Sequence, residues 1–310
     1  MFEEIRGKVF VKPISSRKLS EEQKDIQYYN SYFQKNGMFP DFTQVLIETQ
    51  TDCNRSCSFC PQSESIRPYK QMEWSTYTSI IDQLFIGGFS GRIALFMTNE
   101  PLLDQELINR VAYARKISPK FYIDINTNGH LLDIELMNQL FASGLDNLSI
   151  DDYRSDRDKY PSRLTPNIEN VMDAYRNNPK VQVAYRRTDE ILTNRAGSVK
   201  KKKNINLPLK SFCNYPFRKL AISPYGDIVL CCLDYNYIIK CGNILEKNIY
   251  EIWHSDILQK YRLALIEKNR NGLCKKCDIN EYPKNNNSKQ IKKLITGKMK
   301  SIFRAYIINQ

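Results

Sequence analysis

From residue 42 onward the chain settles into an alternating pattern. Short apolar runs of strand length, at 42–49, 92–96, 121–126, 147–150 and 181–186, are separated by stretches whose apolar positions recur every three or four residues. The first such stretch takes Ser75 as its N-cap, carries Ile80, Ile81, Leu84 and Phe85, and stops at Gly87 and Gly88. The second starts at Asp104 and carries Leu107, Ile108 and Val111; the third carries Ile134, Met137, Leu140 and Phe141 and ends at Gly144. The fourth begins near Pro166 and carries Ile168, Val171, Met172 and Tyr175. Strand–helix alternation predicts βαβ units, and so an α/β fold with a parallel sheet and helices outside it.

The flanks read differently. Residues 1–40 are polar, with one helix expected over 21–33. The alternation stops near Gly197, and 200–207 reads as an exposed linker. Two short strands, 219–223 and 228–232, then surround Pro224-Tyr225-Gly226-Asp227, a hairpin signal, and a helix follows over 249–267. The tail, 278–310, opens on a flexible Pro-Lys-Asn-Asn-Asn-Ser run. It ends in a basic amphipathic helix with Ile291, Leu294, Ile295, Ile302 and Phe303 on its apolar side, suited to its own domain or to a membrane surface. The expected division is an N-terminal extension (1–40), a core (41–197), a small second domain (198–280) and a basic tail (281–310). There is no internal repeat.

Composition narrows the class. The chain has 310 residues, 42% hydrophobic and 26% charged, ordinary for a globular protein with a real core. No stretch approaches the roughly 18 apolar residues of a membrane span, and the acidic start lacks a secretory signal, so a cytoplasmic location is expected. The net charge of +12 is concentrated at 200–203 and in the tail. Such a charge run reads as a solvated surface, and no nucleic-acid partner is expected. The chain has nine cysteines. The odd number and the missing signal argue against a disulfide framework, and their clustering argues for metal.

Cys53, Cys57 and Cys60 fall in one loop after the first strand, where such sheets gather their ligand sites. Three thiolates can hold three irons of a four-iron cubane and leave the fourth open. A structural zinc would want a fourth ligand nearby, yet the next cysteine is Cys213. This Cys-x3-Cys-x2-Cys motif, with Phe59 before the last cysteine, resembles the signature of radical S-adenosylmethionine (SAM) enzymes. The resemblance implies a partial (β/α)6 barrel, a [4Fe–4S] cluster on the three cysteines, SAM on its open iron and a 5′-deoxyadenosyl radical. It places Phe59 against the adenine. It assigns SAM contacts to Asn99, Glu100 and Pro101 after the second strand, although the usual glycines of that motif are missing. Further contacts fall to Asn126 and Thr127 after the third strand and to Ser149 and Asp151 after the fourth. Arg186 or Arg187, after the fifth, is expected to meet the SAM carboxylate. A flavodoxin or ferredoxin is the implied electron donor.

The remaining cysteines, with Gly226, Trp253 and Arg262 between them, resemble the C-terminal SPASM/twitch extension of the same superfamily. The short form implies one auxiliary [4Fe–4S] cluster on Cys213, Cys231, Cys274 and Cys277, with Cys231 and Cys232 not separable as ligands; four-cysteine zinc is the alternative. The chain is similar to radical SAM dehydrogenases and epimerases of aminocyclitols and sugars. The implied reaction is therefore dehydrogenation of a small polar alcohol, with Arg195 and Asp234 as candidates to hold or deprotonate its hydroxyl. Three rivals stay open. One is an epimerase using Cys232 or Cys241 as hydrogen-atom donor, another a peptide-modifying radical SAM enzyme, and the third a zinc-stabilised nucleic-acid-binding protein.

Overall fold

A computed structural model describes residues 19–63, 67–190, 192–199 and 206–282. Residues 200–205 of the expected linker and the expected tail helix lie outside these residues.

The chain opens on helix α1 (Glu21–Asn36), whose Ser20 and Gln23 form a reciprocal capping box. Strand β1 (Gln44–Ile47) follows, then α2 (Trp74–Ile86), β2 (Arg92–Ala94), α3 (Leu107–Ile117) and β3 (Tyr122–Thr127). Next come α4 (Ile134–Ala142), β4 (Asn147–Arg154), α5 (Pro166–Ala174) and β5 (Val181–Arg187). The C-terminal part holds α6 (Tyr215–Arg218), β6 (Lys219–Ile222), β7 (Asp227–Val229), β8 (Lys240–Asn243), α7 (Ile249–Trp253) and α8 (Asp256–Ile266).

One sheet runs through all of this in the order β5-β4-β3-β2-β1-β6-β7-β8. Strands β1 to β5 are parallel, and β6 adds to β1, also in parallel, with Val45 opposite Leu220. The sixth parallel strand is thus the first strand of the expected hairpin; β7 and β8 continue antiparallel beyond it.

The two faces of the sheet differ. Outward residues, among them Val45, Ile47, Ile93, Ile123, Ile125, Leu148, Ile150, Leu220 and Ile222, pack with the helices into one apolar cluster. Each such aliphatic side chain, fully buried, contributes about 1.5–3 kcal/mol. The inward face begins with small apolar residues, Leu46, Ala94, Ala221 and Val229. Toward β3 and β4 it turns polar, with Asp124, Asn126, Ser149 and Asp151. Those polar positions gain nothing from apolar burial, and they mark the face a ligand meets.

Some expectations shift. Helix α2 starts at Trp74 with Glu73 as N-cap, so Ser75 lies inside its first turn. Asp104 closes a short 3-10 helix, Pro101–Leu103, instead of opening α3. It still serves α3, accepting the Glu106 amide at 3.0 Å and pairing with the buried Arg110 at 2.9 Å. The helix expected over 249–267 is two helices, because Ser255 is extended (φ −61°, ψ 153°) at the N-cap position of the second. Among the described residues no helix is long and apolar enough to cross a membrane.

Candidate active site and cluster-binding loops

The cysteine loop leaves the C-terminal end of β1, beside the loops that follow β2, β3 and β4. Cys53, Cys57 and Cys60 are each partly buried. The Cys60 amide donates to the Cys57 carbonyl at 2.9 Å, folding the loop back on itself. Burial pushes the Cys53 thiol up to about 12, and Glu100, Cys60 and Cys57 add to the shift. The Cys53 sulfur is thus poorly solvated and close to the other two, a place where a protein would hold its thiolate only with a positive metal centre to offset it.

The expected SAM loops are locked to this one. Gln50 donates from Nε2 to the carbonyls of Glu100 (2.7 Å) and Asp52 (3.2 Å), and the Glu100 amide donates to the Asp52 carbonyl at 2.9 Å. The Glu100 carboxylate, 2% exposed, accepts from the Leu102 amide (3.1 Å), the Thr127 hydroxyl (2.5 Å) and the Asn128 amide (2.8 Å). Glu100 and Thr127 are thus brackets between loops. Pro101 begins the 3-10 turn behind them. Gly129 closes the β3 loop at φ 75°, where a Cβ would come within 2.8 Å of Ile150 and Ile168.

Asn99 is different. Its Oδ1 accepts the Met97 amide at 3.1 Å, but its Nδ2 is buried with no partner. An orphaned donor beside the cysteine loop fits a polar cofactor that supplies the missing acceptor. On the sheet's inner face Asn126 Nδ2 donates to Asp151 (3.1 Å), which pairs with Arg186 (3.0 Å); Arg186 also reaches Glu190 at 3.5 Å. Ser149, on the same face, accepts from Asn147 Nδ2. Arg187 points away, pairing with Asp158 and Asp189. Phe59 is buried against Tyr153 of β4, with ring centroids 5.2 Å apart.

The other cysteines separate into two sets. Cys213, Cys231, Cys232, Cys274 and Cys277 converge where three apolar clusters meet. Each feels the charge of another: Cys231 that of Cys213, Cys213 and Cys274 that of Cys277, and Cys277 that of Cys232. A Cys231–Cys232 hydrogen bond holds the Cys232 thiol down and Cys231 up, with Lys219 and Arg195 also favouring the Cys232 thiolate. Burial raises Cys274 to about 11. Among the described residues no three His, Cys, Asp or Glu side chains gather tightly enough to grip one metal ion. Cys241 lies apart in the outer cluster, its Sγ 3.9 Å from the Ile239 carbonyl.

Arg195 stands at the boundary of both regions. It and Ala196 adopt left-handed backbone conformations (φ 45° and 53°), which are costly for residues with a Cβ. The segment is braced by Asp278, which accepts from the Thr193 hydroxyl (2.7 Å) and the Asn194 amide (3.0 Å), and by Asn194 Nδ2 on the Lys276 carbonyl (2.7 Å). The Arg195 charge acts on both Tyr153 and Cys232. Asp234 is committed otherwise: its oxygens accept the Ile238 and Ile239 amides at 2.9 and 2.8 Å, which makes it a turn brace.

Sequence reasoning missed one constellation. Glu48, fully buried just past β1, accepts from Arg67 Nη2 (2.8 Å), Thr98 (2.5 Å) and the Tyr237 hydroxyl (2.8 Å). Arg67 also donates to the Tyr237 hydroxyl (2.5 Å) and the Tyr235 carbonyl (3.1 Å), and stacks 4.0 Å from the Tyr235 ring centre. Tyr235 in turn donates to Gln62, two residues after Cys60, at 2.5 Å. Burial opposes the Arg67 charge, but the Glu48 carboxylate overrides it and holds the guanidinium above its usual value. This clasp joins the first cysteine loop to the turn that follows Cys231 and Cys232.

Two families match this sequence: the Radical SAM superfamily over residues 47–185, and SPASM, an iron–sulfur cluster-binding domain, over 213–278. The chain belongs to the radical SAM superfamily and carries a C-terminal SPASM domain. It is a radical SAM oxidoreductase that uses SAM and iron–sulfur clusters. It is similar to an S-adenosyl-L-methionine-dependent 2-deoxy-scyllo-inosamine dehydrogenase of Niallia circulans, with 29% identity over 245 residues, 76% of this chain and 93% of that protein. An Fe-coproporphyrin III synthase of Methanosarcina barkeri is 27% identical over 154 residues, 48% of this chain and 36% of that protein. Among solved structures, BtrN in complex with AdoMet and 2-DOIA superimposes with a TM-score of 0.64 and 28% identity, over 78% of this chain and 95% of that one. SuiB of Streptococcus suis bound to S-adenosylmethionine shares the fold at 16% identity and a TM-score of 0.51, over 79% of this chain and 76% of that one.

Proposed function

We propose that this enzyme dehydrogenates a secondary alcohol on a small polyhydroxylated molecule, an aminocyclitol or a sugar. The single observation that carries this reading is the placement of Arg195 between the SAM face of the sheet, at Tyr153, and the second cysteine group, at Cys232. Among the described residues its guanidinium has no hydrogen-bond or ion-pair partner and is free to take a substrate oxygen. The similarity to a 2-deoxy-scyllo-inosamine dehydrogenase over most of both chains supports the substrate class.

In this reading Cys53, Cys57 and Cys60 hold the SAM-binding [4Fe–4S] cluster. Asn99, with its unpartnered amide, and the Asn126–Asp151–Arg186 row hold SAM, while Glu100, Pro101 and Thr127 keep the loops in register. Cys213, Cys231, Cys274 and Cys277 hold one auxiliary [4Fe–4S] cluster. When bound, these groups supply a 5′-deoxyadenosyl radical and a one-electron sink. The alcohol carbon loses a hydrogen atom, its oxygen loses a proton, and one electron leaves, giving a ketone. Arg195 holds the oxygen and offsets the negative charge it gains as its proton passes to water. A core over 41–197 and an auxiliary domain over 198–280 share the single sheet. A flavodoxin or ferredoxin supplies the starting electron, consistent with a cytoplasmic, reducing setting.

One observation favours a second reading, epimerisation. Cys232 lies buried in the inner cluster with Leu46, Ala94 and Ala196, where its protonated thiol would be the hydrogen-atom donor. Cys241, buried among the aliphatic residues of the outer cluster, is the weaker candidate for that role. The test is an anaerobic screen of aminocyclitols and sugars in deuterated water, following 5′-deoxyadenosine. A ketone formed in step with 5′-deoxyadenosine supports dehydrogenation. Solvent deuterium on carbon in an unoxidised product, lost in Cys232→Ala, overturns it in favour of epimerisation.

A further inference from the structure

Arg270, in the turn after α8, is 2% exposed. Its guanidinium donates to the Ser211 carbonyl (3.1 Å), the Ser211 hydroxyl (3.0 Å), the Ile279 carbonyl (2.9 Å) and the Cys277 carbonyl (3.5 Å). Every acceptor is neutral. Neither nearby carboxylate pairs with it: Asp278 accepts from Thr193 and Asn194, and Glu281 accepts the Asn214 amide at 2.8 Å and the Cys213 thiol. A buried cation without a counter-charge is strongly disfavoured. Its charge acts on three thiols, those of Cys213, Cys274 and Cys277. Its hydrogen bonds also bridge the segment leading into Cys213 and the segment leaving Cys277, so the guanidinium is fixed between two of the assigned ligands.

We infer that Arg270 is the built-in counter-charge of the auxiliary cluster and holds its reduction potential up, so that it accepts the substrate's electron. The inference rests on the ligand set proposed above. A cluster held by thiolates is anionic and gains one more negative charge on reduction. A fixed cation at short range, in a medium of low dielectric constant, stabilises the reduced form more than the oxidised one. Neutral carbonyl acceptors hold the guanidinium in place without cancelling its charge, which a carboxylate partner would do.

The test is an anaerobic redox titration of the cluster-loaded enzyme, followed by electron paramagnetic resonance, on wild type, Arg270→Gln and Arg270→Lys. Arg270→Gln is expected to retain both clusters but titrate at a more negative potential at the auxiliary cluster. With 2-deoxy-scyllo-inosamine as probe, ketone formed per 5′-deoxyadenosine should drop at least severalfold. Arg270→Lys, which keeps the charge and loses the fork, should return most of the way to wild type. An unchanged auxiliary potential in Arg270→Gln overturns the inference, and so does equal loss of cluster iron in both variants, which would make the role one of packing. The titration needs no substrate, so a wild type with two clusters but inactive on polyols would refute the proposed reaction and leave this test standing. A wild type with no second cluster signal refutes both.

Discussion

Replacing Arg67 by Met while Glu48 is retained should strand a buried carboxylate at the junction of the two cysteine regions. Both side chains are nearly inaccessible, at 6% and 0% exposure. In wild type Glu48 receives two donors from Arg67, at 2.8 and 3.4 Å, and one each from Thr98 and Tyr237. After Arg67→Met only the last two remain, and neither carries charge. Removing one partner of a buried ion pair costs about 3–5 kcal/mol, chiefly for the charge left behind. Glu48→Gln should cost a similar amount by stranding the guanidinium. The double variant removes both charges, so its cost should resemble one single variant, not the sum, leaving a coupling of about 2–5 kcal/mol. Denaturant unfolding of the reduced apoprotein, in a double-mutant cycle, measures this directly. Additive costs, or single costs below about 1 kcal/mol, would refute the reasoning, because an exposed and screened pair behaves in that way.

The two cysteine groups should separate cleanly by iron content: Cys57→Ala loses one cluster and all SAM cleavage, whereas Cys274→Ala loses the other and keeps substrate-independent SAM cleavage. Either variant losing both clusters would contradict independent sites. Glu100→Gln must set an amide group against one of three donors, leaving a buried donor unpaired at about 1–3 kcal/mol; thermal unfolding should fall by several degrees and SAM affinity about tenfold by calorimetry, and wild-type values for both would count against the bracket. The buried thiols give the apoprotein a pH dependence with a fixed sign. Cys53 and Cys274 are raised to about 12 and 11, whereas an unfolded cysteine ionises near about 8.5. Below that the thiols are protonated in both states; above it the unfolded chain binds fewer protons, so stability falls as pH rises from about 8 toward 11. Denaturation midpoints of metal-free protein at pH 7 and pH 10 check this, and a higher midpoint at pH 10 would contradict it.

Much of the barrel was legible because its strands are continuous apolar runs and its helices carry one apolar face. β6 was visible as a strand, but its parallel pairing with β1 was not, since no local signal states which strand a strand joins. β8 escaped notice because Lys240-Cys241-Gly242-Asn243 has neither alternation nor an apolar run. The break between α7 and α8 was masked by apolar spacing that continues across His254 and Ser255. The cysteine motifs stand out because their ligands are close in sequence. The Glu48–Arg67–Tyr237 clasp is the opposite case. Its members lie 19, 170 and 189 positions apart pairwise, and a Glu, an Arg and a Tyr so distant carry no mark of meeting. Arg270 is similar: one arginine among many basic residues, distinguished only by burial without a carboxylate. Asp234 is a suggestive acid beside two cysteines, and its bonds to the Ile238 and Ile239 amides carry no mark in the sequence.

The most direct test of the account is deuterium transfer. A 2-deoxy-scyllo-inosamine carrying deuterium at the carbinol carbon is incubated anaerobically with the reduced, cluster-loaded enzyme and SAM. The account predicts one deuterium in 5′-deoxyadenosine for each ketone formed, with none left at the oxidised carbon. Ketone without deuterated 5′-deoxyadenosine, or deuterated 5′-deoxyadenosine with the alcohol recovered unoxidised, would contradict it.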